Sequence, residues 1–138
     1  LAVALAGATD ASSALLVLYA HLGSSFAVPH VAIRLWDVPG DADAQEFQPI
    51  STAAREFVGA QQHPYCGAGA GPDLVDWFGE EGVHVRSIAL VALRNGDATF
   101  GLLALGSEAQ ERFYPEMGTL YLERIGEVAA AALVRTFG

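Results

Sequence analysis

Residues 99–137 set the architecture of this chain. They run TFGLLALGS over 99–107, EAQERFYPEMGTLYL over 108–122 and ERIGEVAAAALVRTF over 123–137. The apolar run 100–105 has the length of a buried strand. Pro115 fits the first turn of a helix, where its missing N–H would be unpaired anyway. This part of the chain therefore predicts a buried strand that passes through a polar corner into a helix of roughly 34 Å.

Upstream of this stretch, the pattern predicts further strands. Residues 83–93 form the strongest strand prediction, and Asn95-Gly96 favours a hairpin to the strand at 98–106, because a type I′ turn needs positive φ at both central residues. Residues 30–37 alternate between an apolar and a mixed face. Residues 45–50 are predicted as their edge partner, since a proline within the run is tolerated only at a sheet edge.

The remaining segments favour helices and loops. A first helix is predicted over 11–22, after the capping residues Thr9 and Asp10, and a short one begins at Ser51 and ends near residue 60. Residues 61–71 are expected to be irregular, and 72–78 to be a short helix. This order of elements predicts an antiparallel sheet with helices on one face.

Composition and charge narrow the function classes. The 138 residues suit one domain over 1–138, in which residues 1–8 are open to a second interpretation as the tail of an upstream helix. A net charge of −9, with seven arginines and no lysine, argues against direct binding of nucleic acid or anionic membranes. No apolar stretch approaches the roughly 20 residues that span a bilayer. The single cysteine excludes an internal disulfide and favours a cytoplasmic location.

The C-terminal stretch also carries a family resemblance. GLLALGS over 101–107 and ERFYPEMGTLYLERIGE over 111–127 resemble the C-terminal signature of the DUF484 family, bacterial proteins of uncharacterised role. Looser similarity extends through VAIRLWD over 31–37 and PYCG over 64–67. The resemblance implies an α+β, GAF-like fold. In that fold the N- and C-terminal helices pack on one face of a central antiparallel β-sheet, and a long helix-containing connection covers the other.

The glycine run CGAGAGP over 66–72 does not complete a phosphate-binding motif. Pro72 stands where a dinucleotide fingerprint needs its third glycine, and the lysine of a Walker loop is missing. A flexible loop over a pocket mouth is the favoured interpretation, with an anion site at the start of the helix at Pro72 as the alternative. His63 and Cys66 lack the supporting ligands of a metal site.

Cys66 and Arg34 each leave two interpretations open. Cys66 is either a packed small side chain or a reactive thiolate whose pKa is lowered by an exposed, glycine-rich setting. Arg34 shares a strand face with Trp36, so it either binds a carboxylate or phosphate of a small molecule or forms a salt bridge to an acid such as Glu46.

The resulting hypothesis is a non-catalytic regulatory domain that takes part in signalling. It would bind an unidentified small molecule between sheet and connection, without a metal, cofactor or catalytic residue. The predicted pocket residues are Arg34, Trp36, Tyr65, Cys66, Trp77, Phe78 and Ser87. Two alternatives are a purely structural dimerisation or protein-interaction module whose pocket is filled by its own side chains, and a thiol-based redox enzyme that uses Cys66.

The C-terminal helix is apolar over much of its circumference, which predicts burial on more than one side. One stripe begins at Met117 and Tyr121, and Leu120 and Leu122 broaden it. Small residues between Gly126 and Ala132 would permit close helix approach. The sequence therefore predicts a homodimer through the terminal helices, with a plain thick core as the alternative.

Overall fold

The computed structural model describes residues 10–25, 30–38, 44–47, 51–61, 63–68, 78, 84–113 and 120–137. The α-helices are α1 (Ala11–Ser25), α2 (Thr52–Ala60) and α3 (Leu120–Phe137), and a 3₁₀ helix spans Gln45–Phe47. The strands are β1 (His30–Leu35), β2 (Tyr65–Ala68), β3 (Ser87–Asn95) and β4 (Ala98–Ser107). The helix predicted over 72–78 lies outside the described residues except for Phe78, as does the predicted beginning of the last helix at 115–119.

The four strands form one antiparallel sheet in the order β1-β4-β3-β2. Alternate residues of the sheet belong to two separate cores. On one face, Ile33 and Leu103 pack with α1 and α3. On the other face, Ala32 and Leu102 pack with Val58 of α2. The structure thus confirms an α+β fold in which both terminal helices lie on one side of the sheet and a helix of the connection lies on the other.

Helix α1 begins where the sequence predicts and ends later. The backbone N–H of Ser13 donates to Oδ1 of Asp10 at 2.7 Å, which is the expected N-cap interaction. The helix continues through Gly23 to Ser25, three residues beyond the predicted end. Leu22 is fully buried in the core, and its packing outweighs the roughly 1 kcal/mol that a glycine costs inside a helix.

The β3–β4 hairpin is confirmed, but its turn lies one residue later than predicted. Asn95 pairs with Ala98, so the two loop residues are Gly96 and Asp97. Gly96 has φ +64°, in the left-handed region that glycine adopts without strain. A β-bulge next to the turn, between Leu93 and Arg94, changes the register of the last two pairs, so that a loop of two residues closes the hairpin.

Two predictions about the sheet edges are wrong. Residues 45–47 form a 3₁₀ helix rather than the predicted edge strand. Residues 65–68, predicted to be irregular, form strand β2, which pairs with β3 over residues 87–90. Both differences have a tertiary cause: β2 supplies backbone partners to β3, whereas at the edge of β1 the Ile33 carbonyl accepts a hydrogen bond from the side chain of Arg34.

Three polar side chains, here called the polar group, protect the edge of β1: Tyr19 of α1, Glu46 of the 3₁₀ helix and Arg34 of β1. The hydroxyl of Tyr19 donates to Oε2 of Glu46 at 2.6 Å, and Nη1 of Arg34 donates to the carbonyl of Ile33 at 2.9 Å. Hydrogen bonds of this kind occupy backbone groups that an exposed edge would offer to another chain. The 3₁₀ helix is therefore held against β1 by its side chains and not by strand pairing.

This polar group predicts a loss of stability at alkaline pH. Burial, and then the Glu46 carboxylate, raise the pKa of the Tyr19 phenol above its ordinary value of 10.0. The folded state therefore retains a proton that the unfolded state releases above that pH, so the free energy of unfolding falls as pH rises, by at most about 1.4 kcal/mol per pH unit. Urea unfolding between about pH 9 and 11 should show a steeper decline for the wild type than for Tyr19→Phe. Parallel pH dependences of the two proteins would contradict this assignment.

None of the helices within the described residues has the length and hydropathy required to cross a membrane.

Candidate functional site

The structure places four of the predicted pocket residues on the sheet face that α2 covers, although not on one strand. Trp36, Tyr65 and Phe78 pack against the core of this face, and each is half-buried. Arg34 belongs to the same row of β1, where it lies opposite Leu102. Trp77 lies outside the described residues.

Cys66 and Ser87 lie on the opposite face of the sheet. Cys66 pairs with Ala89, and both residues belong to the core under α1 and α3. Ser87 is fully buried, and its hydroxyl bonds to the segment after β4. Because successive side chains of a strand point to opposite faces, the sheet separates both residues from Tyr65 and Trp36. The prediction treated neighbours in sequence as neighbours in one pocket, and strand alternation divides them.

Two of the aromatic rings lie over glycines of the sheet. A Cβ atom at Gly67 would stand 2.6 Å from the hydroxyl of Tyr65, and one at Gly106 would stand 3.1 Å from Cζ of Phe78. The Phe78 ring also meets His30 edge-on, with centroids 6.0 Å apart. Because glycine has no side chain, the rings of Tyr65 and Phe78 occupy the space above Gly67 and Gly106.

Trp36 joins the end of β1 to α2. Its Nε1 donates to the carbonyl of Thr99 at 3.1 Å, and the guanidinium carbon of Arg55 lies 4.9 Å from its ring centroid. Arg55 also bonds Oδ2 of Asp37 at 2.8 Å. Asp37 adopts φ +58°, a conformation that aspartate tolerates better than most residues. Arg55 therefore links the exposed surface of α2 to the turn that follows β1.

Arg34 is 3% exposed, and its charge offsets only part of the rise in the pKa of Tyr19 that burial and Glu46 cause. Its Nη1 bonds the Ile33 carbonyl at the sheet edge. The sequence makes Glu46 a candidate salt-bridge partner of Arg34. In the structure Glu46 accepts a hydrogen bond from Tyr19. The guanidinium thus takes part in the polar group that protects the edge of β1.

Cys66 is a free, buried thiol. Burial raises the pKa of this thiol above its ordinary value, which disfavours the thiolate needed for nucleophilic or redox chemistry. The environment therefore supports the interpretation of Cys66 as a packed small side chain.

The burial of Cys66 predicts slow modification by thiol reagents. At neutral pH, a disulfide reagent such as Ellman's reagent should label the native protein about two orders of magnitude more slowly than the urea-unfolded protein, since labelling requires local opening. The release of chromophore over time measures both rates. Equal rates in the two states would show an accessible, reactive cysteine and would favour the thiol-enzyme alternative.

A cleft of about 680 Å³ lies between α3 and the end of β3, on the helix side of the sheet, meaning the face that α1 and α3 cover. The sequence did not predict this cleft. Helix α3 forms one wall, residues 91–96 at the end of β3 form the floor, and the segment before β2 forms the third side. Gly126 allows α3 to approach the floor, because a Cβ atom there would stand 2.5 Å from Cγ1 of Val91. The only sequence signal was the small residues of this helix, which were assigned to packing between helices.

Charged residues line the rim of this cleft. Nδ1 of His63 lies 3.2 Å from Oε1 of Glu123. Arg94 uses its guanidinium to hold the end of α2, since Nη2 donates to the Gln61 carbonyl at 2.6 Å and Nε donates to Oγ1 of Thr99 at 3.2 Å. Hydrogen bonds from an arginine to the last carbonyls of a helix also complement the negative end of its dipole.

Among the described residues, no three side chains of histidine, cysteine, aspartate or glutamate come close enough to bind a metal ion.

Two solved structures share this fold. A free methionine-R-sulfoxide reductase from Neisseria meningitidis, determined in complex with its substrate, has a TM-score of 0.60 and 16% identity, covering 98% of this chain and 84% of its own. A GAF domain/HD domain protein from Geobacter sulfurreducens has a TM-score of 0.60 and 11% identity, covering 96% of this chain and 95% of its own. Likeness at this level of identity shows the GAF-like fold.

In sequence, no curated protein matches the chain. A family described as "Protein of unknown function, DUF484" matches residues 10–137, almost the whole sequence. The C-terminal motifs, the antiparallel sheet and the paired terminal helices agree with this match, and the chain therefore belongs to the DUF484 family.

Proposed function

We propose that this protein is a non-catalytic GAF-type regulatory domain that binds a small molecule on the α2 face of its sheet and dimerises through α1 and α3. The observation that carries the proposal is the different character of the two sheet faces. The face that carries α1 and α3 is covered by these two long helices except for the cleft beside α3, whereas the α2 face carries half-buried aromatic rings beside small side chains.

The ligand would contact aromatic residues that lie on this face. Ala32 of the edge strand β1 lies opposite Ala104 of β4, in a row that continues through Leu90 of β3 to Tyr65 of β2. Pockets for small molecules are typically lined by aromatic and apolar side chains with a few polar groups. Trp36 also touches Arg55 of α2, so a ligand on this face would act on the position of that helix.

Support for a dimer comes from large apolar side chains that the terminal helices expose. Leu16 of α1 is 70% exposed, and Leu120 and Tyr121 of α3 are 68% and 62% exposed. Apolar residues exposed on neighbouring elements are typical of interaction surfaces. Association through α1 and α3 would let a change on the sheet reach a second copy.

A specific observation favours a second candidate, the purely structural dimerisation module. Tyr65 lies over Gly67 and Phe78 over Gly106, so part of the space on the α2 face is filled by the protein itself. In this alternative the terminal helices still form a dimer, but no ligand enters.

Native mass spectrometry of the purified, gently desalted protein, repeated after denaturation, separates the two candidates. A dimer with a stoichiometric adduct that is lost on denaturation would support the regulatory domain and give the ligand mass. A dimer without an adduct, together with no ligand-dependent stabilisation in a metabolite screen, would favour the structural module. A monomer would contradict dimerisation in both.

Matched charge substitutions test the interface. Leu16→Glu and Leu120→Glu should each shift the wild-type dimer toward monomer in sedimentation velocity, because burying an unpaired carboxylate is costly. Phe57→Glu is the control, since Phe57 is also exposed, at 42%, but lies on α2. An equal effect of all three changes would contradict the assignment to the terminal helices.

A further inference from the structure

We propose that the cleft between α3 and the end of β3 is a second binding site, and that it takes a small molecule with a cationic amine at one end and an apolar body. This site lies across the sheet from the ligand face of the proposed function and is independent of it. Its volume of about 680 Å³ falls within the range of small-molecule pockets.

The floor of the cleft suits the apolar body of such a molecule. The side chain of Val91 and the backbone of Ala92 meet Gly126, Ala130 and Val134 of α3 there, so the surface consists of methyl groups and backbone. The close approach of Gly126 to Val91 makes this floor continuous between strand and helix. An apolar group placed on it would be removed from water on two sides.

The polar rim selects the charge of the other end. Glu123 and Glu127 line the cleft four residues apart on α3, so their side chains lie on one face of the helix. Glu127 meets Arg124 only at 3.8 Å, which leaves its carboxylate oxygens able to accept hydrogen bonds from an ammonium group. Nδ1 of His63 lies 3.2 Å from Oε1 of Glu123 at the same rim.

The two arginines of the cleft do not offset this acidic end. Arg94 directs its guanidinium onto the carbonyls that end α2. Arg135 follows Glu127 by eight residues, about 12 Å along the helix axis. The net charge of −9 of the whole chain further favours the approach of a cation over that of an anion.

Three probes of similar shape and different charge test the proposal: 2-phenylethylamine, 2-phenylethanol and 3-phenylpropanoate. Each is titrated into the isotope-labelled protein and followed by amide chemical shifts. The amine should give saturable shifts in residues 91–96 and 123–135, with about tenfold tighter binding than the alcohol, and the carboxylate should bind more weakly than either. Equal or tighter binding of the carboxylate, shifts located elsewhere, or no saturable shift with the amine would overturn the proposal.

Two variants with a matched control complete the test. Glu127→Gln should weaken binding of the amine about threefold to tenfold and leave that of the alcohol unchanged, whereas Glu56→Gln removes the same charge from α2 and should change neither. Ala131→Phe, at an exposed position of the cleft wall, should block both probes without unfolding the protein, as circular dichroism would verify. Unchanged amine binding in Ala131→Phe, or equal loss in Glu127→Gln and Glu56→Gln, would show that the cleft is not the site.

Discussion

Gly126→Ala is expected to lower the free energy of unfolding by about 2 kcal/mol, although alanine is the better helix former. The new Cβ would stand 2.5 Å from Cγ1 of Val91, closer than such atoms approach in proteins. Val91 is buried and β-branched, so its methyl group can move only by a costly rotation or by a shift of α3 away from β3. The overpacking outweighs the roughly 1 kcal/mol that the helix gains from alanine.

Gly59→Ala provides the matched control with the opposite sign. Gly59 is exposed near the end of α2, and among the described residues its new Cβ would meet only Oγ1 of Thr99, at 3.9 Å. The same chemical change should therefore stabilise the protein by a few tenths of a kcal/mol up to about 1 kcal/mol. Urea denaturation of the wild type and the two variants measures both effects.

The two variants are expected to change the free energy of unfolding in opposite directions. If Gly126→Ala were also stabilising, α3 would not lie against β3 as closely as the structure shows. The floor of the cleft described above would then be open, and the argument for an apolar site there would fail with it. The cleft probes should also bind Gly126→Ala differently from Gly59→Ala, because only the first change alters the floor.

Much of the fold follows from local patterns in the sequence. The apolar run at 100–105, the turn residues at 95–97 and the N-caps Asp10 and Ser51 each act within a few residues of the chain. The N-cap Ser51, for example, accepts a hydrogen bond from the N–H of Ala54 at 3.1 Å, as its position predicts. Local signals of this kind survive in the folded protein because tertiary packing agrees with them.

The two wrong predictions concern segments whose structure depends on distant partners. Strand β2 contains a glycine and only four residues, which is too weak a pattern to predict a strand. It forms because the edge of β3 needs hydrogen-bond partners over residues 87–90. The 3₁₀ helix at 45–47 forms where a strand was expected, since Tyr19, 27 residues away, binds Glu46.

The face on which each candidate site residue lies was not predictable from the sequence. The sequence assigned Tyr65 and its neighbour Cys66 to one pocket, yet they point to opposite sides of the sheet. Assigning them to faces required strand β2, which the pattern did not reveal. The cleft beside α3 was hidden for a related reason: its floor and its α3 wall come from residues 27 or more positions apart, which only the packing of α3 on β3 brings together.

Ser87→Ala is expected to cost about 2 to 3 kcal/mol, the other large effect. Ser87 is fully buried, and its hydroxyl donates to the Ala109 carbonyl at 2.7 Å while it accepts from the N–H of Phe113 at 3.3 Å. Alanine would leave both backbone groups without these partners. Phe113 is also buried in the helix-side core, so the change should loosen the segment that leads from β4 toward α3.

Ser107→Ala is the control for this prediction, since it is the same substitution at a buried serine with fewer described hydrogen bonds. Ser107 pairs directly with Ser87 across the sheet and is also buried, but its hydroxyl makes one described hydrogen bond, from the N–H of Ala109 at 3.1 Å. Its loss should cost about 1 kcal/mol. Urea denaturation gives both free energies. Amide hydrogen exchange should show lower protection of Phe113 in Ser87→Ala than in Ser107→Ala, because only the first variant removes its acceptor. Equal costs, with unchanged protection of Phe113, would mean that Ser87 contributes burial alone and that another group orders the segment after β4.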